Sequence, residues 1–407
     1  MCRDSSGIQL NWMQLIEIAH NMGQCMTLNI PAVNAELSKP ENKNDLKLIL
    51  CNIRSMRENF SEFRGLLSLF QEPFDLIAVN ETWLSQGEEN AYQLEGYDIF
   101  CTPRNRHGGG VILYSAETLK ASPIDALSHC ASTFESVFLR IDTSFGPLKV
   151  GTIYRTPSKP LRKFLSEFES LIQPHLGPPD TIMCGDLNVN LLDRPTPITA
   201  EFVSTLTSLG LTNAIHEPTR VTERTQTLLD QIWSSVPTVK NSFIIESPIS
   251  DHYPVCCTVP IPKNSDSKLI KTRPLRPQHF ESFLSEFKHL CDITYNSINT
   301  ETSDSNNVDY VFENFISALK FLIEKHFPIK SKRYKLRALK TPWITEEMKS
   351  LIKKKYRIYS KCKRGLLPFS LYRQYRGMST KHSEYQKEFT FKPNLVPKVW
   401  ALVRCGR

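Results

Sequence analysis

A carboxylate and a carboxamide stand two residues apart at the end of one apolar segment. The segment 181–190 begins as a buried strand and runs into Gly185-Asp186-Leu187-Asn188. Because side chains alternate along a strand, Asp186 and Asn188 share one face and place an acceptor beside a donor. Such a pair could hold a water molecule and a phosphoryl oxygen. Taken alone, the segment is equally well explained by a turn, since Gly, Asp and Asn all favour turns.

Further polar residues stand where apolar segments end within the first 260 residues. The whole set is Asn52, Glu81, Tyr154, Asp186, Asn188, Asp230, Asp251 and His252. Carboxylate oxygens are the ligands that Mg²⁺ and Mn²⁺ prefer, and a histidine oriented by an aspartate can donate to a phosphate or transfer a proton. The set predicts metal-assisted phosphodiester hydrolysis. Taken singly, Asn52 and Tyr154 are explained as structural hydrogen-bonding groups, Asp230 as a cap or a buried partner of a cation, and His252 as a packed or solvent-facing histidine.

Strands must position these residues, and segments of strand length dominate residues 46–260. The segments 46–53 and 75–82 are almost wholly apolar, which is typical of central strands covered on both faces. The predicted fold class is α+β: a four-layered α/β sandwich of two mixed β-sheets flanked by helices, with the site at one rim. The glycines at 108–110 either cradle a phosphate or form a flexible hairpin loop, and the lack of a helix start after them favours the loop.

Composition divides the chain further. Residues 1–45 are polar and predict a weakly ordered lead-in, 46–260 form the sandwich domain, 261–277 a linker, and 278–407 a mostly helical region. No apolar run reaches transmembrane length, so no membrane partner is expected. The 11 cysteines include no CxxC pair, which indicates reduced thiols in an intracellular protein and argues against a disulfide scaffold or a zinc module.

Charge is distributed unevenly along the chain. Residues 330–407 contain 22 Lys and Arg against 4 Asp and Glu, a balance of +18 in a chain whose total is +8. Such a segment is attracted to a polyanion, and nucleic acid is the commonest polyanion inside a cell. Interleaved tyrosines could stack on bases. The alternative is a solvated face on packed helices.

The ordered motifs resemble the endonuclease/exonuclease/phosphatase superfamily, which includes deoxyribonuclease I and the apurinic endonucleases. Finer features resemble the endonuclease of LINE-type (non-LTR) retrotransposons of the jockey-like sort. These features are Asn52-Ile53-Arg54-Ser55, Glu81-Thr82-Trp83-Leu84, Gly108-Gly109-Gly110-Val111, Tyr154-Arg155-Thr156-Pro157 and Pro218-Thr219-Arg220. The region after Lys340 resembles the linker that precedes reverse transcriptase in those polyproteins. The expectation is a retrotransposon product truncated before the reverse transcriptase.

The resemblance implies a role for each matching position. Glu81 is the principal ligand of Mg²⁺ or Mn²⁺ with Asn52 beside it, and Asp251 supports the metal through water. The remaining roles concern the substrate: Asp186 activates the attacking water, Asn188 holds the transition state, His252 oriented by Asp230 contacts or protonates the scissile phosphate, Tyr154 hydrogen-bonds the phosphate, and Arg155 contacts the DNA backbone. The implied activity is a DNA endonuclease that leaves a 3′-hydroxyl nick and works in the nucleus, with RNA as a second partner of the basic C-terminal region.

One position departs from the wider superfamily. Apurinic enzymes usually carry a carboxylate two residues after the first asparagine, where this chain has Arg54. The departure favours the retrotransposon branch over abasic-site repair. Two alternatives remain: a phosphoesterase of the same superfamily acting on a substrate other than nucleic acid, and a catalytically silent remnant that binds nucleic acid.

Overall fold

The structure is a computed structural model that describes residues 2–3, 9–10, 24–261, 269–272, 277–300, 305–333 and 344–379, apart from 43, 144–145, 179, 194–195, 223, 236–238 and 240. Its strands are β1 (Cys2–Arg3), β2 (Gln9–Leu10), β3 (Gln24–Leu28), β4 (Leu46–Asn52), β5 (Leu76–Asn80), β6 (Tyr97–Thr102), β7 (Val111–Ala116), β8 (Ser122–Pro123), β9 (His129–Cys130), β10 (Phe134–Thr143), β11 (Gly146–Arg155), β12 (Thr181–Asp186), β13 (Thr212–Asn213), β14 (Arg220–Val221), β15 (Gln226–Thr227), β16 (Asp230–Ser234), β17 (Asn241–Ile245), β18 (Val255–Val259), β19 (Leu269–Thr272) and β20 (Lys330–Arg333). Its helices are α1 (Ile30–Leu37), α2 (Met56–Leu67), α3 (Leu161–Leu171), α4 (Pro197–Ser208), α5 (Pro277–Thr300), α6 (Ser305–His326) and α7 (Glu346–Lys363), and residues 369–379 are also helical.

Two large mixed sheets lie at the centre of the first compact unit, which comprises residues 1–265 and 336–407. The first sheet has the strand order β3-β17-β18-β4-β5-β7-β6, and the second has the order β13-β16-β12-β11-β10-β8 with β9 also paired to β10. Parallel pairs such as β4 with β5 and β11 with β12 stand among antiparallel ones. This arrangement, with helices on the outside, confirms the predicted α+β sandwich.

The core explains why the central strands are so apolar. Every residue of β4 and β5 is buried, as expected for strands covered on both faces. A second hydrophobic cluster lies under α3 and α4, where Phe164, Phe168 and Phe202 pack with Trp233 of β16. The two clusters hold both sheets rigid, so the positions of the strand ends are fixed.

The first sheet begins earlier than the sequence predicts. Within the expected lead-in of residues 1–45, β3 pairs in parallel with β17, and α1 follows with Asn29 capping its first turn. An edge strand has one neighbour, and β3 is only partly buried; Thr27 is exposed. Its residues therefore lack the continuous apolar signal that marks β4 and β5.

Helix α7 packs onto the first unit, although the sequence assigns residues 278–407 to one separate helical region. Its buried face carries Met348, Ile352, Tyr356 and Tyr359, and Ile352 lies against Gly65 of α2. These apolar positions are spaced for one face of a helix, but they are interleaved with a run of lysines. The basic composition therefore conceals a packing surface.

Residues 266–335 form the second compact unit. There α5 and α6 pack through aromatic side chains: the Phe327 ring centroid lies 5.0 Å from that of Phe280 and 5.3 Å from that of Phe283. Strands β19 and β20 pair antiparallel. Among the helices that the structure describes, none has the length and apolar character needed to cross a membrane.

Candidate active site

Strand register brings the predicted polar residues to one edge of the sandwich. In the first sheet, Asn52 at the end of β4 lies beside Asn80 of β5, and Glu81 follows directly. In the second sheet, Asp186 at the end of β12 lies directly across from Asp230 at the start of β16. We call Asn52, Glu81, Asp186, Asp230 and His252 the polar edge. The position of these residues at the ends of apolar strands is what predicted this convergence.

Three members of the polar edge could hold a metal ion together. One ligand atom each from Glu81, Asp186 and His252 lies within 4.8 Å of the other two. The amide nitrogen of Asn52 donates to Glu81 Oε1 at 2.9 Å and to Asp186 Oδ2 at 2.8 Å. Asn52 Oδ1 is buried and accepts no hydrogen bond. The carboxylates of Glu81 and Asp186 are the kind of oxygen ligand that a hard divalent cation prefers, and Asn52 faces them with its amide nitrogen.

The electrostatics of the edge favour a cation as well. Complete burial, followed by the neighbouring charges of Asp230 and Glu81, raises the pKa of Asp186 well above its ordinary value, while His252 opposes the shift. His252 Nδ1 lies 2.8 Å from Asp230 Oδ2. Burial works against protonation of His252, but the Asp230 and Asp186 carboxylates outweigh it and raise the histidine pKa. The carboxylates of the edge therefore carry more negative charge than His252 offsets.

The backbone around the edge adopts conformations that residues other than glycine rarely take. Glu81 and Trp83 have φ values of 53°, Arg54 has 48° and Asn188 has 50°. Left-handed conformations of this kind cost free energy and persist where surrounding contacts enforce them. The two loops that carry Glu81 and Asn188 are therefore held in fixed shapes.

A pair of glycines holds the Glu81 loop. The amide N–H of Thr82 donates to the carbonyl of Gly110 at 3.2 Å, and that of Trp83 donates to the carbonyl of Gly109 at 3.0 Å. The Gly110 N–H in turn donates to Glu135 Oε2 at 2.9 Å, and Glu135 is fully buried. The glycine loop, predicted as a flexible hairpin, is thus hydrogen-bonded to the Glu81 loop and supports it. Glu135 is part of this support and was not predicted from the sequence.

Asn80 joins the two sheets directly beneath the edge. Its side-chain amide donates to Thr152 Oγ1 at 2.9 Å, and its Oδ1 accepts the N–H of Asp186 at 2.7 Å. Asn80 is fully buried. A polar residue in an otherwise apolar strand, next to Glu81, was the signal that could have identified it.

Asn188 and Arg155 are tied to the main chain. The Asn188 side chain donates to the Arg155 carbonyl at 2.7 Å, and its N–H donates to Asp186 Oδ1 at 3.1 Å. The buried Arg155 guanidinium donates to the carbonyls of Leu187, Asn188, Thr156 and Lys159. These contacts show that Arg155 shapes the loop that presents Asn188, and its predicted contact with the DNA backbone stays a prediction.

Tyr154 lies at the end of β11 and is buried. Burial, with added repulsion from the Glu81 and Asp186 carboxylates, raises the pKa of its hydroxyl far above the ordinary range. A phenol that stays protonated beside carboxylates keeps a proton to donate. Its place is consistent with the predicted contact to a phosphate.

Asp251 lies between two arginines, and its carboxylate belongs to their ion pairs. Its Oδ1 accepts from Arg54 at 2.9 Å, and its Oδ2 accepts from Arg220 at 2.7 Å. Arg54 Nε also lies 4.0 Å from Glu81 Oε2. The metal-ligand group among the described residues does not include Asp251. Sequence reasoning noted Arg54 as a departure from the superfamily pattern but did not predict this contact.

A known protein family matches the part of the chain that contains several of these residues. Residues 148–256, which contain Asp186, Asp230 and His252, match the family model described as endonuclease-reverse transcriptase. No curated protein matches the sequence.

Similar solved structures cover about half of the chain. The endonuclease domain of TRAS1, a telomere-specific non-LTR retrotransposon, is 16% identical with a TM-score of 0.43 and covers 52% of this chain and 97% of its own. The AP endonuclease from Archaeoglobus fulgidus is 16% identical with a TM-score of 0.40, covering 52% and 98%. The Neisseria 3′ phosphatase NExo bound to a product DNA hairpin is 16% identical with a TM-score of 0.41, also covering 52% and 98%.

The family match and the metal-ligand group define the class of this domain: it is a metal-dependent phosphodiesterase. Over residues 148–256 the chain matches this endonuclease-reverse transcriptase model, which agrees with the resemblance seen in the sequence.

Proposed function

We propose that this protein is a Mg²⁺-dependent DNA endonuclease that hydrolyses one phosphodiester bond and leaves a 3′-hydroxyl nick. The observation that carries the proposal is the convergence of Glu81, Asp186 and His252, whose ligand atoms lie within 4.8 Å of one another. The donor set is mostly oxygen, which suits Mg²⁺ or Mn²⁺ better than softer metals. The matching sequence motifs support derivation from a non-LTR retrotransposon, and chromosomal DNA as the substrate implies nuclear localisation.

Glu81, Asp186 and the Asn52 carbonyl oxygen would hold the cation. When bound, it would withdraw charge from the phosphate and stabilise the leaving oxygen. The protein itself supplies orientation: Asn52 bridges the two carboxylates, and the left-handed backbone at Glu81 aims that side chain inward. For Asn52 to bind the cation through its oxygen, its amide would turn from the donor orientation seen here.

The side chains that accept or donate protons are Asp186, His252 and Tyr154. The Asp186 carboxylate, whose pKa is raised by burial and nearby charge, accepts a proton from the attacking water. Asp230 fixes the His252 ring through Nδ1, which leaves Nε2 as the nitrogen that donates to a phosphate oxygen. Tyr154 donates its hydroxyl proton to the phosphate, and Asn188, held by Arg155, borders the same position.

Nicking of supercoiled plasmid by the full chain in Mg²⁺ tests the proposal. We expect wild type to nick, and Asp186→Asn and His252→Gln each to lose about 10²–10⁴-fold in rate. Extension of the nicks by a DNA polymerase without prior phosphatase treatment demonstrates the 3′-hydroxyl. Asp98→Asn and His175→Gln, at exposed positions, are the matched controls and should retain wild-type activity.

A folded wild-type protein as inactive as the two variants would contradict the proposal. A screen of small phosphodiesters would then separate a phosphoesterase with another substrate from a catalytically silent remnant.

We also propose RNA as a second partner of the basic C-terminal region, because that segment carries the excess positive charge.

A further inference from the structure

A groove runs along helix α7 on the first compact unit. It has a volume of about 660 Å³, and its opposite wall is formed by the start of α1 and by residues 68–71 after α2. The polar edge lies elsewhere in the unit: none of its residues lines this groove. The groove is therefore a separate candidate site.

A row of cations lines one wall of this groove. Lys349, Lys353, Arg357 and Lys361 recur at every fourth position of α7, and Arg364 follows them. Residues four apart on a helix lie about 6 Å apart along its axis and share one side. The row therefore presents regularly spaced positive charge along the groove. We call the cavity and this row the basic groove.

Three of these cations make no close contact with an acidic side chain, although Lys353 acts on Glu346 at longer range. In the part of the chain that the structure describes, the side chains of Lys353, Arg357 and Lys361 make no hydrogen bond or ion pair, and all three are exposed. Lys349 lies 2.7 Å from Glu346, and Arg364 donates to Ser360 Oγ at 2.7 Å. Charges without partners in a concave surface are free to meet an anionic ligand.

The acidic residues of the groove do not neutralise the row. The two that line it are Glu246 and Glu346. Glu246 accepts a hydrogen bond from Ser360 Oγ at 2.7 Å, and Glu346 pairs with Lys349. The five cations that line the groove outnumber these two carboxylates, so the lining keeps an excess of 5 − 2 = 3 positive charges.

Helix α7 is fixed in place by buried polar contacts. Lys355, which is 2% exposed, pairs with Glu62 of α2. Tyr356 is hydrogen-bonded to Ser247 Oγ at 3.3 Å. These contacts hold the helix backbone from which the row of cations projects. A rigid row of charges binds a linear polyanion with a smaller ordering cost than a mobile tail does.

The far end of α7 reaches the rim of the polar edge. Lys363 Nζ donates to the carbonyl of Val221 at 2.8 Å. The preceding residue, Arg220, pairs with Asp251, and Asp251 precedes His252. The C-terminal end of α7 is thus joined by a hydrogen bond to the segment that borders Asp251 and His252.

We propose that the basic groove binds the phosphate backbone of a single strand of nucleic acid. The inference rests on the proposed function for the choice of nucleic acid as the ligand. Evenly spaced cations in a groove track a linear chain of phosphates without reading its sequence. The amides of Asn29 and Gln71 on the opposite wall offer polar contacts to the same strand.

Binding of a fluorescent single-stranded oligonucleotide to the full chain, in EDTA, tests this proposal without cleavage. The test variant combines Lys353→Gln, Arg357→Gln and Lys361→Gln. The control variant combines Arg140→Gln, Arg162→Gln and Lys163→Gln, which are exposed cations outside the groove and remove the same charge. We expect the groove variant to bind about tenfold more weakly and its log–log salt slope to fall by about 2, with little change in the control.

Equal losses in both variants would show a general charge effect and overturn the proposal, as would equal binding by all three proteins. If the groove variant lost binding only to a duplex of the same length and still bound the single strand, the single-strand assignment would be overturned. Lys353→Arg with Lys361→Arg keeps the charge and should retain binding, which separates charge from misfolding. Because no metal is present, failure of plasmid nicking does not affect the outcome.

Discussion

The polar edge and the basic groove hold charge in opposite ways. At the edge, Asp186 is 0% exposed and His252 is 5% exposed, so their charges are balanced only by one another and by close neighbours. Burial of like charges costs free energy, which a bound cation relieves. In the groove, Lys353 and Lys361 face solvent, where a charge without a partner costs little. Ligand binding at the edge should therefore stabilise the fold, whereas binding in the groove should depend on salt.

The largest expected effect separates the two regions directly. Glu81→Gln removes a carboxylate from the metal-ligand group, and we expect nicking to fall about 10³-fold while binding of the single-stranded oligonucleotide stays at the wild-type level. Mg²⁺ should raise the melting temperature of wild type more than that of the variant. Glu201→Gln, at an exposed site on α4, is the control. Loss of oligonucleotide binding in Glu81→Gln would show that the polar edge and the basic groove act as one site, which contradicts the comparison.

An intermediate effect is expected from the support of the Glu81 loop. Glu135→Gln keeps the size of the side chain but weakens its contacts with the Gly110 N–H and with Arg104. We expect nicking to fall about 10–100-fold, as for other residues that orient metal ligands. Higher Mg²⁺ should restore part of the rate, since the ligands themselves remain. Activity that is low at every Mg²⁺ concentration would instead indicate a general structural defect.

The sequence was sufficient for the parts of the site that depend on strand geometry. Asn52, Glu81 and Asp186 end buried strands, and strand ends meet at one edge of a sheet whatever the loops do. Arg155 follows the same kind of strand, but its partners are four carbonyls whose positions depend on the path of two loops. No spacing rule gives that path, so these contacts of Arg155 could not be predicted from the sequence.

Helix α7 shows a different limit of sequence reasoning. Its lysines gave a charge signal, but Lys355 is buried against Glu62, and these residues are far apart in sequence. A run of lysines does not reveal which member lies under the helix and which ones face a groove. The edge strand β3 was missed for a related reason, because its single neighbour leaves half of it exposed.

The smallest expected effect tests the junction between the two regions. Asp251→Asn removes the charge that holds Arg54 and Arg220. Partly exposed ion pairs contribute little, about 1 kcal/mol or less each, so we expect the KM for DNA to change by about fivefold. If Asp251 acts through these arginines, the Mg²⁺ dependence of nicking stays unchanged. If it supports the metal through water, as the resemblance implies, the Mg²⁺ requirement rises and the KM for DNA does not. Arg54→Ala, measured in parallel, should reproduce the KM effect only in the first case.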